Sequence, residues 1–218
     1  MPSMKFILSI GFLLTVLAGE AQSVMPLVGV NVRNYYNTKN EIHNVAEATS
    51  RVGATIGAMI RLKGDGQPLF MASLNYAGGS IKQENSGFAG YDTKTASYSY
   101  LQLGLAAYLF NGQYKSWSGG IGLEGGVVLY EKSKGWHEMI IIGQDQKKED
   151  IHISYPAVVN KFKIGPSVYV KKTIQLGDKH AIEPFLYSTL YLSDEVKYSN
   201  VKAMSVGLGI IWVIRKNT

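Results

Sequence analysis

Apolar and polar residues alternate with a period of two along most of this chain, the pattern of a strand with one greasy face and one small or polar face. The clearest run lies between residues 95 and 110, where Leu101, Leu103, Leu105, Ala107 and Leu109 alternate with Tyr100, Gln102, Gly104, Ala106 and Tyr108. Over Arg51 to Leu62, Val52, Ala54, Ile56, Ala58, Ile60 and Leu62 alternate with Arg51, Gly53, Thr55, Gly57, Met59 and Arg61. From Trp117 onward, Trp117, Ile121, Leu123, Val127 and Leu129 share one face, while Gly120, Gly122, Glu124, Gly126, Val128 and Tyr130 share the other. The last segment, Val201 to Arg215, sets Met204, Val206, Leu208, Ile210, Trp212 and Ile214 against Ala203, Ser205, Gly207 and Gly209. Weaker alternation over Leu27 to Tyr36, Leu69 to Gly78, Ala157 to Thr173 and Ala181 to Leu192 brings the predicted strands to eight.

The connections fall into two sets that alternate along the chain. Short links rich in Gly, Asn and Asp occupy 63–67, 111–115 and 177–180, as tight hairpins require. Longer polar stretches occupy 37–49, 79–94, 131–155 and 193–200, so every long loop leaves from the same end. The fold this predicts is all-β: an eight-stranded antiparallel up-and-down transmembrane β-barrel over residues 22–218, with the short turns facing the periplasm. Within the third long stretch, Met139-Ile140-Ile141-Ile142 and Ile151-His152-Ile153 flank a polar segment, which predicts a hairpin that extends the barrel or docks a partner.

Residues 1–21 read as an export signal: Lys5, an apolar run from Phe6 to Ala18, then Gly19 and Ala21 flanking Glu20, with cleavage expected after Ala21. Its removal leaves the formal charge at +6. No later stretch approaches the 18 or so apolar residues of a spanning helix. The chain of 218 residues has 24 glycines, 14 tyrosines and only 17% charged residues, which suits a membrane barrel. The absence of cysteine excludes disulfides, thiolate metal sites and Cys nucleophiles.

Phe70, Trp117 and Trp212 fall on the apolar face near the short-turn end and Tyr76 near the opposite rim, the places of an aromatic girdle. The Gly19-Glu20-Ala21-Gln22 signal end, the glycine-studded final strand Ser205 to Trp212 and the eight-strand rhythm together resemble the small outer-membrane β-barrel proteins common in Bacteroidetes. That group includes the PorT-like barrels and is similar in architecture to the OmpA transmembrane domain. Such barrels often end on an aromatic residue used in assembly, whereas this chain ends Ile214-Arg215-Lys216-Asn217-Thr218 and offers Trp212 instead.

A barrel of eight strands is just wide enough to be filled by side chains, so a diffusion pore is not expected. By parity Arg33, Arg51, Arg61, Glu124, Lys161, Lys163 and Glu183 face inward. Opposite charges in a narrow lumen should pair, because an unpaired buried charge costs several kcal/mol. The expected plug is centred on Glu124 and Glu183, with Arg61 or Lys163 as partners and Lys161 nearby.

Other motifs carry less. Gly120-Ile121-Gly122-Leu123-Glu124-Gly125 matches a dinucleotide fingerprint, yet it lies inside a strand where that motif needs a strand-to-helix turn. His43, His137, His152 and His180 lack metal-ligand spacing. His152-Ile153-Ser154 resembles the His-x-Ser pair of outer-membrane lipid A deacylases, but Gly165-Pro166-Ser167 follows with no orienting Glu. The expectation is therefore a barrel without catalytic residues, metal or cofactor. Its partners would be outer-membrane lipid and an extracellular or periplasmic protein, not nucleic acid. The rival reading is a soluble exported barrel that turns its greasy face inward around a small apolar ligand.

Overall fold

A computed structural model describes residues 21–37, 45–62, 68–87, 90–142, 148–155, 159–177, 180–195 and 201–214. Residues 1–20 of the expected signal segment and the turn at 63–67 lie outside them, while Ala21 already belongs to the first strand. The strands are β1 (Ala21–Asn37), β2 (Val45–Ser50), β3 (Val52–Leu62), β4 (Leu69–Gly87), β5 (Gly90–Tyr114) and β6 (Trp117–Ile142). β7 (Lys148–Tyr155), β8 (Phe162–Lys172), β9 (Ile174–Gln175), β10 (His180–Asp194) and β11 (Val201–Ile214) follow.

Every neighbouring pair is antiparallel, and the ladder runs β1-β3-β4-β5-β6-β8-β10-β11 before β11 returns to β1, Leu27 opposite Ile211 and Asn37 opposite Val201. The sheet is closed. Three short strands complete longer staves. β2 continues β3 along β4, and the kink at Arg51 is bridged by its N–H to the Gly78 carbonyl. β7 lies above β8 along β6, and β9 continues β8 along β10. Eight staves therefore form the barrel, as the alternation predicts.

The staves are unequal in height, and two expected loops are largely strand. β4 and β5 pair without a break from Leu69–Tyr108 to Gly87–Gly90, so most of 79–94 is a hairpin. β6 and β7 pair from Gly135–Tyr155 to Ile142–Lys148, which makes the 131–155 stretch a second hairpin. The expected strand over 157–173 is correspondingly shorter, beginning only at Phe162. At the opposite end β5 reaches Tyr114, so the turn to β6 is only Lys115-Ser116, with Lys115 at a φ of 53°. That left-handed value is one a tight hairpin turn demands.

The side-chain faces follow parity. Val28, Ile56, Ile121, Leu123, Ile164, Leu186, Leu208 and Ile210 are half or more exposed on the outer face, while β8 alternates strictly between exposed and buried residues. A barrel with its aliphatic face turned inward, the rival reading, is contradicted by this orientation. Phe70, Tyr76, Trp117 and Trp212 all stand on the outer face, Phe70 part-buried and the other three about half exposed. Parity fails at four positions expected to face inward: Arg51, at the kink between β2 and β3, and Arg61 and Lys161, at strand ends, are exposed, and Tyr130 turns outward. An extra residue, Leu129, bulges between the Leu101–Tyr130 and Gln102–Val128 pairs, so Tyr130 points outward at 65% exposure instead of inward.

Candidate functional site in the filled lumen

Three layers fill the barrel from the short-turn end outward. The first is apolar rather than polar: Met25, Leu27, Met59, Leu69, Met71, Phe185 and Ile211 are buried together with Tyr108, Tyr169 and Tyr187. Tyr108 and Tyr169 meet edge to face at 4.5 Å, and Phe185 stacks on Tyr187 at 5.1 Å. The polar filling expected around Glu124 and Glu183 therefore gives way to apolar side chains in this layer. The reason is local: β1 is apolar on both faces, with Met25 and Leu27 inside and Val24 and Val28 outside.

The middle layer is a net of amides and hydroxyls. Asn31 Nδ2 donates to Thr55 Oγ1 at 2.9 Å, Thr55 Oγ1 to Asn75 Oδ1 at 2.8 Å, and Asn75 Nδ2 to Ser73 Oγ at 2.9 Å. Across the lumen Glu124, 1% exposed, accepts from Thr189 at 2.5 Å and from Tyr191 at 2.7 Å. Thr189 Oγ1 also lies 2.9 Å from Ser167 Oγ. Glycine makes the room: a Cβ at Gly104 would touch Ser73 Oγ, Asn75 Nδ2 and Glu124 Oε1 at 3.0–3.3 Å, and one at Gly126 would run into Gln102.

The outer layer is ionic. Glu195, one residue past the end of β10, turns into the lumen and is fully buried. Its Oε2 accepts from Lys163 Nζ at 2.8 Å and from Arg33 at 3.4 Å, and its Oε1 from Tyr100 Oη at 2.6 Å. Lys163 Nζ also donates to the Glu195 carbonyl at 2.9 Å, and Asn160 N–H to the same carbonyl at 3.0 Å, so Glu195 is held by backbone as well as side chain. The Arg33 guanidinium lies between the Tyr100 and Tyr191 rings, 5.0 and 4.7 Å from their centroids, and donates to Gln102 Oε1 at 2.8 Å. Burial by itself pushes the Glu195 carboxyl up, but Lys163 and Arg33 outweigh it and hold the group below its ordinary value. Ile81, Tyr98, Val128, Val159 and Val201 pack with Tyr100 as a small apolar cluster in the same part of the lumen.

The expected pairing is therefore rearranged. Glu183 is buried but pairs with Lys171, which parity places on the inner face of β8, and accepts from Thr173 at 2.8 Å. Lys163 is buried but pairs with Glu195, not with Glu124 or Glu183. Arg61 is exposed at the short-turn mouth, where β3 runs out of barrel. Lys161 is exposed just before β8 begins, outside the alternating segment, and its carbonyl accepts from Val128 N–H. Glu195, Lys171 and the ring contacts of Arg33 were not anticipated. Parity marks Lys171, whereas Glu195, although in the inward phase of β10, lies past Leu192, where the apolar alternation ends and a loop is expected.

Chemically this lumen is a dense but incomplete network: Glu124, Glu183 and Glu195 are engaged by donors on other strands, whereas Glu131 Oε2, Tyr98 Oη, Ser193 Oγ and Arg33 Nε are buried without a hydrogen-bond partner among the described residues. Among the described residues no three His, Asp or Glu side chains converge as metal ligands. His152 and Ser154 lie on β7 opposite Glu138 and Trp136, and their side chains are outside the described part of the structure.

No protein-family model matches the sequence, and no curated protein matches it either. The backbone is similar to that of Neisserial surface protein A, with 11% identity and a TM-score of 0.43 over 89% of this chain and 99% of that one. It is also similar to the attachment invasion locus protein Ail of Yersinia pestis, solved in complex with the heparin analogue sucrose octasulfate (9% identity, TM-score 0.36, 87% and 96% covered). A further similar structure is the translocator domain of the autotransporter NalP from Neisseria meningitidis (10% identity, TM-score 0.33, 95% of each chain covered). Likeness of this degree extends to neither ligand nor role.

Proposed function

We propose that this chain is an integral outer-membrane barrel whose filled body is a scaffold, and whose two tall hairpins are its outward contact elements. The carrying observation is the inverted burial. On a closed ladder the outer face is aliphatic and exposed, while Arg33, Lys163, Glu124 and Glu195 are buried inside. In water that arrangement would leave a continuous apolar belt wet, which folded soluble chains avoid. In a bilayer it is the stable one, since a closed sheet satisfies every backbone group without water.

Residues 1–21 then serve as the cleaved export signal, and the resemblance to Bacteroidetes barrels names the kind of cell envelope. The same packing argues against a channel and against catalysis: side chains occupy the lumen, and its carboxylates hold structural hydrogen bonds. Mature protein should partition with outer membranes, need detergent for solubility and migrate differently on a gel before and after boiling. Recovery in a detergent-free soluble fraction with unchanged migration would overturn the reading.

A further inference from the structure

On the tall side of the barrel the outward residues change character within one step of the ladder. Cross-strand register aligns Tyr76, Leu101 and Tyr130 on β4, β5 and β6 as one row. Tyr76 is 50% and Tyr130 65% exposed. The next row outward is Gly78, Ser99 and Lys132, and the one beyond it is Ser80, Ser97 and Lys134. Lys132 and Lys134 are both exposed. The bulge at Leu129 decides this, because without it both lysines would point into the sheet's inner face.

Position along the strand sets the depth. A residue rises about 3.3 Å and barrel strands tilt by about 40°, so Lys132 and Lys134 stand about 5 and 10 Å above Tyr130 along the membrane normal. The headgroup layer is about 5–7 Å thick on each side of the hydrocarbon. Lys132 therefore lies within it, and the flexible stem of Lys134 reaches down to it. The adjoining strand supplies Ser97 and Ser99 and no carboxylate at these rows. On the short side of the barrel the comparable rim position is self-neutralised, Asp194 standing opposite Lys202.

Resting on the outer-membrane reading above, we infer that Lys132 and Lys134, with the Ser97 and Ser99 hydroxyls, form a lipid-facing site for the phosphate groups of an anionic lipid in the surrounding leaflet. Ammonium groups supply the charge and the hydroxyls donate to phosphate oxygens, while Tyr130 packs against the acyl boundary beneath.

The test titrates the full-length mature protein, in micelles of an uncharged detergent, with lipid A carrying two phosphates and with the same lipid stripped of them. Lys132→Ser/Lys134→Ser should weaken binding of the phosphorylated lipid about thirty-fold, the combined effect of two lysines at an anionic surface. The phosphate-free lipid should bind wild type and variant alike. Lys172→Ser, at the exposed cation beside Trp117 on the short-turn rim, should leave affinity unchanged. The inference is overturned if Lys172→Ser costs as much as the double variant, if the wild type does not distinguish the two lipids, or if inorganic phosphate displaces the lipid. Gel migration before and after boiling is read on every sample, so a failed barrel and a failed lipid site are distinguished. Lys134→Gln alone, expected to lose about five-fold, carries the test if the double variant does not fold.

Discussion

Lys163 Nζ and Glu195 Oε2 lie 2.8 Å apart with neither side chain reaching solvent, and this pair ties the residue that follows β10 to the inner wall of β8. Arg33 approaches the same carboxylate oxygen, so one anion serves two buried cations. Glu195→Gln should therefore destabilise the barrel by about 3–5 kcal/mol, because it strands both cations in a closed interior. Urea unfolding in detergent micelles measures it. A wild-type midpoint would show that the cluster is solvated. Lys163→Met in the Glu195→Gln background should restore part of the loss, by removing one of the stranded charges.

Glu124 should behave differently although it is as deeply buried. Its partners among the described residues are the hydroxyls of Thr189 and Tyr191, and a hydroxyl accepts as readily as it donates. In Glu124→Gln one hydroxyl can rotate to accept from the new amide, so the cost should be about 1 kcal/mol, that of exchanging one hydrogen bond for another. Equal losses in Glu124→Gln and Glu195→Gln would mean that Glu124 carries charge the network depends on.

The difference between these two residues shows which parts of the lumen the sequence makes legible. Glu124, Glu183 and Lys163 sit inside long alternating strands, where period two assigns the inward face without tertiary knowledge. Glu195 keeps the inward, odd-numbered phase of Glu183 and Thr189, but it lies past Leu192, where the apolar alternation stops, so period two does not mark it as part of a strand. Tyr130 illustrates a third situation. The alternation is present, but the Leu129 bulge shifts its phase, and a bulge depends on the partner strand as much as on its own residues. Parity already puts Met59 on the inner face, whereas Met25 and Met71 are not marked as inward; they lie there because a filled barrel needs volume inside as well as polarity. Apolar residues on both faces of β1 blur the alternation there.

Two glycines that the sequence treats alike should differ sharply. A Cβ at Gly207 would overlap the Tyr187 ring, which stacks on Phe185 and whose hydroxyl lies 3.0 Å from Thr55 Oγ1. A Cβ at Gly125 would meet nothing within 4 Å. Gly207→Ala should cost about 1–3 kcal/mol through overpacking, while Gly125→Ala should be neutral or slightly stabilising. Heat-modifiable migration across a temperature series compares the two. Equal behaviour would mean that Tyr187 has an alternative rotamer the packing tolerates.

Face assignment can be checked in lipid. Leu208 is 57% exposed midway along β11, and Leu208→Arg should cost about 2–4 kcal/mol in a bilayer, the penalty of a cation at the hydrocarbon midplane. Gln102→Arg should be no milder, because Gln102 is wholly buried, accepts from Arg33 and contacts Tyr191, so the new guanidinium would sit against an existing one. The two should separate by environment: moving from bilayer to detergent relieves only Leu208→Arg.

Acid should act through the outer cluster. Glu195 is held below its ordinary value, so the folded state binds its proton more weakly than the unfolded chain does. The stability it contributes is fully present above the ordinary glutamate value of about 4.3, and is lost as pH falls below that toward the lowered folded value. Wild-type protein should therefore lose urea resistance through this range more steeply than Glu195→Gln, which has no such proton to bind. Glu183, paired with Lys171 at the other end of the lumen, is common to both proteins, so the difference between the two pH curves isolates Glu195. Parallel curves would show that Lys163 and Arg33 do not stabilise its charged form. Glu195 would then be held in the lumen by its backbone hydrogen bonds and by Tyr100.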